Sequence, residues 1–481
     1  MAFATWIRHV ALASSIAACA SCGDDTAPET PSQPEGFADE IALATVTDLD
    51  PDPSVLEVEI EARTVDLDIL GLGLPTTVWT YNGSLPGPLL RLRAGDRLIV
   101  HFKNSLPQAT TVHWHGVRVP QAMDGSPPHS QAPVEPGDTF DYDFVVPDPG
   151  LFWFHPHEAS AAQLGYGLYG ALVVDPAEPE PEGLGDEVVM VLSDMSIDQT
   201  TGAMVPADQG GELGALFGRE GGVLLVNGKQ HPTLHARRGL RQRWRIVNAA
   251  KSRYFRLALP GHTFERIGGD TGLLVAPIVQ NEILLMPGQR ADVVVRPMGE
   301  DGERVTLTWL PYDRGYGSVE FREPAPLLDV ALAGDTVEPD ALPALGGGVA
   351  PLDLAGATQV SIALTQHNAP DGSLVLGING VPFQDAEPIA AEVGETQIWT
   401  VTNEMEWAHP FHLHGFFFQR LDESGAFVEP VEWLDTADVP EKGSMRFAVR
   451  YDARPGMWMF HCHILDHADL GMMGMVDVRQ R

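Results

Sequence analysis

The chain has 481 residues and a formal net charge of −36, a balance that repels nucleic acid and anionic membrane surfaces and argues against both as partners. At roughly 150 residues per domain, this length allows about three domains, each able to bury a core. Its 49 glycines and 39 prolines, among many short runs of Val, Ile, Phe and Trp, predict an all-β chain of sandwiches with few long helices.

At the amino terminus, Arg8 precedes the apolar run Val10 to Ala18 and then Cys19, the pattern of an export signal over residues 1–19. Ile16-Ala17-Ala18-Cys19 resembles a bacterial lipoprotein cleavage box, which would make a lipid on Cys19 the sole membrane contact; ordinary signal cleavage is the alternative. Residues 20–45 are expected to be a flexible tether, because Gly23 to Glu40 is polar, acidic and proline-bearing. Nothing later is long and apolar enough to span a membrane. The expected location is the periplasm or cell envelope. Export permits disulfides, yet Cys462 is the only cysteine beyond residue 22, so the folded domains hold none.

A threefold internal repeat organises the rest. Asn82-Gly83, Asn227-Gly228 and Asn379-Gly380 each precede a strand-like run with a glycine and then an asparagine: Gly95 and Asn104, Gly239 and Asn248, Gly394 and Asn403. Linker-like stretches at Pro176 to Glu182 and Gly346 to Gly348 separate the copies. The expected domains are 46–178, 179–342 and 343–481.

Register carries the chemistry. His113 and His115 stand at the same offsets from Asn104 as His412 and His414 from Asn403, whereas the middle copy has Leu257 and Leu259 there. A second alignment, from Gly137 and from Gly443, sets His155 and His157 against His461 and His463. In that frame Pro156 faces Cys462, Ala161 faces His467, Tyr166 faces Met472 and Thr110 faces His409. The third copy therefore has four extra ligand-type residues.

Two sets of candidate metal ligands follow. In a strand, residues two apart share a face at about 7 Å, so each of the four His-x-His pairs can present two imidazoles to one pocket. The pairs divide equally between the first and third domains, and a shared site is expected at their interface. The second set, His409, Cys462, His467 and Met472, comprises two imidazoles, a thiolate and a thioether, the ligand list of a blue-copper centre. Zinc would leave the methionine unexplained. Because side chains alternate along a strand, Cys462 points to one face while His461 and His463 point to the other. One strand could then connect an electron-accepting centre to the eight-histidine cluster.

His113-Trp114-His115-Gly116, His155-Pro156-His157, His409-Pro410-Phe411-His412-Leu413-His414-Gly415 and the Cys462 segment resemble the four copper signatures of the three-domain multicopper oxidases, the laccase-like family. The resemblance implies three consecutive cupredoxin-like Greek-key β-sandwich domains and four copper ions. It implies a type 1 copper on His409, Cys462, His467 and Met472, and a type 2 copper on His113 and His412. The type 3 pair would take His115, His155 and His463 on one ion, with His157, His414 and His461 on the other. Electrons from phenols or aromatic amines, or alternatively from cuprous, ferrous or manganous ions, would reduce dioxygen to water. A monomer is expected.

Dioxygen reduction consumes protons, and Asp124 matches a carboxylate that serves proton traffic in bacterial members; without that role it would be a turn residue before Gly125. Bacterial relatives often have a glutamate directly after the second type 1 histidine, where this chain has Ala468. Asp466 and Asp469 could substitute, though surface positions are expected for them. Glu404, Glu406 and Asp435 are candidates for a donor-attracting group near His409. His101, His129, His231, His235, His262 and His367 fall outside the registers and are expected to be ordinary surface or hydrogen-bonded histidines.

Overall fold

The computed structural model describes residues 31–315, 322–338 and 340–481. The export signal and Cys19 lie outside the described residues. Burial alternates along the outer strands, such as Arg97–Asn104, whereas strands at the domain junctions, such as Gln242–Asn248 and His409–Leu413, are buried on both faces; pairs of sheets close over a shared core. Among the described residues the strands form six sheets, two in each repeat. In the first repeat, the sheet order is 76–81, 55–67, 97–104, 139–145, facing a second sheet of order 90–93, 170–175, 150–155, 113–115. The second repeat spans strands Asp186–Met195 to Ala325–Ala333, and the third spans Thr358–Asn368 to Met473–Arg479.

The three copies share one topology, with the opening long strand parallel to a later neighbour: 55–62 with 97–104, 186–192 with 242–248, and 358–364 with 397–403. Such pairing needs a crossover between sheets and gives the expected Greek-key sandwiches. The repeat residues have physical tasks. Each Asn-Gly lies at positive φ, for example Asn82 at 55° and Gly83 at 83°, as a tight hairpin turn requires. Asn104 and Asn248 each donate to two main-chain carbonyls and Asn403 to three, at 2.8–2.9 Å for Asn104 onto Gln108 and Val134. Each also accepts the backbone N–H two residues on. These bonds fix the loop leading into the next strand, which in the first and third repeats carries the histidines.

The histidine strands are buried, three of them inside their sheets and His113–His115 at the edge of its own. His113–His115 pairs antiparallel with Gly150–His155, placing His113 opposite His155. His409–Leu413 pairs with Gly456–Cys462, placing His412 opposite His461. Three short helices stand beside them: α1 (Ser160–Gly165), α2 (Gly211–Phe217) and α3 (Leu465–Asp469).

The second half of the expected tether is ordered against the domains. Residues 33–45 pack on the domains: Ile41 is 2% exposed and joins the middle-domain core with Phe37 and Ala38. Asn227 Nδ2 donates to the Ile41 carbonyl at 2.6 Å, and the Thr233 N–H to Glu40 Oε2 at 2.7 Å. Average composition concealed this, because two apolar side chains at helical spacing are enough to dock a short polar segment. Among the described residues, no helix is long and apolar enough to cross a membrane.

Candidate metal centres

Cys462 ends its strand fully buried, with its thiol turned into the third-domain core and away from His461 and His463. His409 Nδ1 lies 3.4 Å from Cys462 Sγ, His467 Nδ1 lies 3.6 Å from it, and the two nitrogens are 3.1 Å apart. His467 Nε2 donates to the Leu216 carbonyl at 2.9 Å, leaving an unprotonated Nδ1 towards the thiol. Met472 is buried and tied to the same residues: its N–H donates to the His467 carbonyl at 2.9 Å, and its carbonyl accepts the Cys462 N–H at 3.1 Å. Burial holds His409 well below its ordinary pKa, takes His467 down to about 3 and pushes the Cys462 thiol up to about 12. A soft cation would therefore displace the thiol proton on binding.

The eight paired histidines form one cluster between the first and third domains. His113 stacks on His414 and His115 on His412, each with ring centroids 3.8 Å apart. His157, His414 and His461 bring their donor atoms together, with His461 Nε2 at 3.3 Å from His157 Nε2 and 3.1 Å from His414 Nε2. The rings of His115, His155 and His463 lie 5.0–5.7 Å apart, and those of His113 and His412 5.9 Å apart. Burial is the main force holding His113, His115, His155, His414, His461 and His463 well below their ordinary pKa. These six rings are held as neutral imidazoles.

Their outward nitrogens are anchored. His113 Nδ1 donates to the Asp124 carbonyl at 2.7 Å, His155 Nδ1 to Pro156, His412 Nδ1 to Asp435, and His461 Nδ1 to Cys462. His414 Nδ1 donates to Asp124 Oδ2 at 2.9 Å, and His115 Nε2 to Asp435 Oδ1 at 3.1 Å. These bonds choose the tautomer and turn the lone pairs inward. Asp124 is buried and also receives the Ser126 hydroxyl; burial pushes its carboxyl up to about 7. Gly125 permits this fold-back, since a Cβ there would lie 1.9 Å from the Val112 carbonyl oxygen.

Asp435 departs from expectation. It is 1% exposed and lies under the cluster, away from any surface beside His409. Its partner is Arg290 from the middle domain, with Nη1 to Oδ1 at 2.7 Å and Nη2 to Oδ2 at 2.5 Å. Burial alone would raise the Asp435 carboxyl, and the Arg290 charge, His115 and the hydrogen bonds from both together more than reverse this, holding it well below the usual range. The other Arg290 donors reach the carbonyls of Leu151, Gly288 and Asp270. All five donors are engaged, tying three domains together. The middle domain also brings Gly288 against the cluster, where a Cβ would lie 2.9 Å from His463 and 3.0 Å from His115. Sequence spacing could not reveal these contributions, because the middle copy has no His-x-His pair to mark them.

Asp466 is likewise buried, against expectation, and pairs with Arg219. Asp469 stays at the surface, where its carboxylate accepts the N–H groups of Ser160 and Ala161. Glu404 and Glu406 are exposed. His101 lies between Glu57 and Asp141, and His231 pairs with Asp329, both outside the centres.

Comparison with known proteins agrees with this geometry. Family models described as multicopper oxidase match residues 66–179, 186–303 and 353–481. Multicopper oxidase MmcO of Mycobacterium tuberculosis is 31% identical over 446 residues, spanning 85% of this chain and 84% of the relative. The chain belongs to the multicopper oxidase family. A laccase of Bacillus subtilis is 27% identical, spanning 84% of this chain and 90% of its own. The solved structure of a Campylobacter jejuni multicopper oxidase, described as a metallo-oxidase, matches with a TM-score of 0.80 at 27% identity, covering 94% of this chain and 99% of that one.

The donor set of this oxidase fits copper on its own chemistry. Nε2 of His113, His155 and His412, Nδ1 of His115 and both nitrogens of His463 are buried without a hydrogen-bond partner among the described residues. His414 and His461 direct unprotonated nitrogens at each other across 3.1 Å, an arrangement that a shared cation satisfies. Unpartnered buried nitrogen is otherwise costly.

Arg290→Met should destabilise the fold by about 3–5 kcal/mol, because the buried Asp435 charge loses its partner. Denaturant unfolding of purified protein, with copper per chain measured alongside, checks this. A parent-like midpoint with full copper would show that the guanidinium does not organise the junction.

Proposed function

We propose that the chain takes single electrons from phenolic or aromatic amine donors at the His409, Cys462, His467 and Met472 centre, which would hold a type 1 copper. In this reading dioxygen is reduced to water at the eight-imidazole cluster. There His113 and His412 would hold a type 2 ion, and His115, His155 and His463 one type 3 ion. His157, His414 and His461 would hold the other type 3 ion, giving four coppers in all. Copper, when bound, supplies the one-electron redox chemistry that these side chains lack. The observation that carries the reading is that Cys462 faces one centre while its covalent neighbours His461 and His463 face the other. The peptide between them is the shortest connection available.

The surrounding residues do the rest. Anchored tautomers keep the imidazoles from rotating, and burial excludes water from the thiol. Asp124 can hold a proton at its carboxylate between Ser126 and His414, the task that dioxygen reduction requires. The amino-terminal pattern supports export to the periplasm or envelope, with Cys19 as a lipid site, and the chain would act as a monomer.

One feature favours the second reading, oxidation of cuprous, ferrous or manganous ions. The outer nitrogen of His467 is bonded to Leu216 beneath α2, and His467 is fully buried, so a bulky donor cannot reach that ring directly. Steady-state kcat/KM for phenolic donors and for these ions, with and without added copper, separates the readings. A higher value for a metal ion would assign the chain to the metal oxidases.

Cys462→Ser should abolish the intense blue absorption while leaving the fold and most cluster copper; unchanged colour would sink the type 1 assignment. Asp124→Asn should slow reoxidation by dioxygen by about 100-fold or more, with little change in reduction of the blue centre. Stopped-flow traces of both half-reactions test this, and parent-like reoxidation would return Asp124 to a turn-forming role.

A further inference from the structure

Beside α2, on the side facing α1, lies a cavity of about 340 Å³, within the range that holds small ligands. Its walls include Tyr166, Met204, Val205 and Pro206, together with the cationic Arg219 and Lys251. Lys251 is 8% exposed, and among the described residues its ammonium makes no hydrogen bond or ion pair. The ammonium itself opens on the cavity, where an anion would supply the acceptor that the walls lack.

The other charges of the cavity are already matched. Asp194 pairs with Arg253 Nε at 2.7 Å, and Glu220 pairs with Arg253 at 3.1 Å and Arg322 at 3.0 Å. Arg219 pairs with Asp466 and donates to the carbonyls of Gln209 and Gly211. One positive charge, on Lys251, is left over. The chain's overall −36 would repel an anion at long range, but screening confines that effect to about 10 Å at 0.1 M salt.

The cavity also adjoins the blue centre. Arg219 holds Asp466, the residue before His467, and the Lys251 carbonyl accepts the Leu465 N–H at 2.9 Å. A ligand here touches residues that hold α3 without displacing α2.

We infer that this cavity binds small aromatic carboxylates, with the carboxylate on Lys251 Nζ and the ring against Tyr166 and Met204, and that phenolic acids seated there are electron donors. The donor half rests on the phenol-oxidase reading above. The bound phenol gives up one electron to the Cys462 centre and its hydroxyl proton to solvent, leaving a phenoxyl radical. A plainer role for Lys251 also exists, since its Nζ lies 3.5 Å from where a Cβ of Gly165 would stand, at the carboxyl end of α1, where a cation is favoured.

Calorimetry on the copper-loaded protein with benzoate and benzamide separates the two. Benzoate should bind and benzamide should not, and Lys251→Met should weaken benzoate by about tenfold to a hundredfold while its Tm and blue absorption match the parent. For 4-hydroxy-3-methoxycinnamate against its methyl ester, the kcat/KM advantage of the acid should vanish in Lys251→Met and persist in Lys251→Arg. Equal binding of benzoate and benzamide, or benzoate binding unchanged in Lys251→Met, overturns the site. Lys251-dependent benzoate binding without turnover of any phenol upholds the site and overturns the donor reading.

Discussion

The alternation of side chains along one buried strand is the constraint on which the molecule depends. With a period of two, His461 and His463 must leave the backbone opposite to Cys462, so the thiol enters the third-domain core while the imidazoles leave it. Every other element serves one of those two faces. His409 and His467 close around the thiol, and three further histidine pairs meet the outward imidazoles.

A cluster facing outward needs a wall, which explains why a domain without ligands remains in the chain. Imidazoles of the first and third domains stack on each other across the junction, but stacking alone does not set the spacing. Arg290, extending from the middle domain to Leu151 and Asp435, joins all three bodies through directional bonds and neutralises the carboxylate that orients His115. Gly288 admits the middle-domain backbone so close to His115 and His463 that any side chain would collide. Asp124 has the matching place on the opposite side, bonded to one imidazole from each domain.

Covering and access are linked at the other centre. The Leu216 carbonyl sets the tautomer of His467 and, by the same contact, shields the ring from solvent. Orientation by a peptide carbonyl therefore restricts the donors that can touch the ring, and shifts attention to the cavity beyond α2, where Arg219 and Lys251 contact the backbone and side chains of α3.

Much of this was legible in the sequence because repeats preserve offsets. The asparagine of each copy counts the distance to the histidine strand, so comparing Asn104 with Asn403 exposes the paired imidazoles, and the second alignment exposes Cys462, His467 and Met472 as additions to the third copy. Period-two patterning and Asn-Gly turns likewise predict the sandwiches. Contacts between repeats have no such offset. Nothing in the sequence places Asp435 beneath His115, Arg290 across three domains, Leu216 over His467 or Lys251 at a cavity, and average composition hid the docking of Phe37 and Ile41. Local spacing along a strand is covalent geometry and can be counted; the approach of one domain to another is settled only when their surfaces pack.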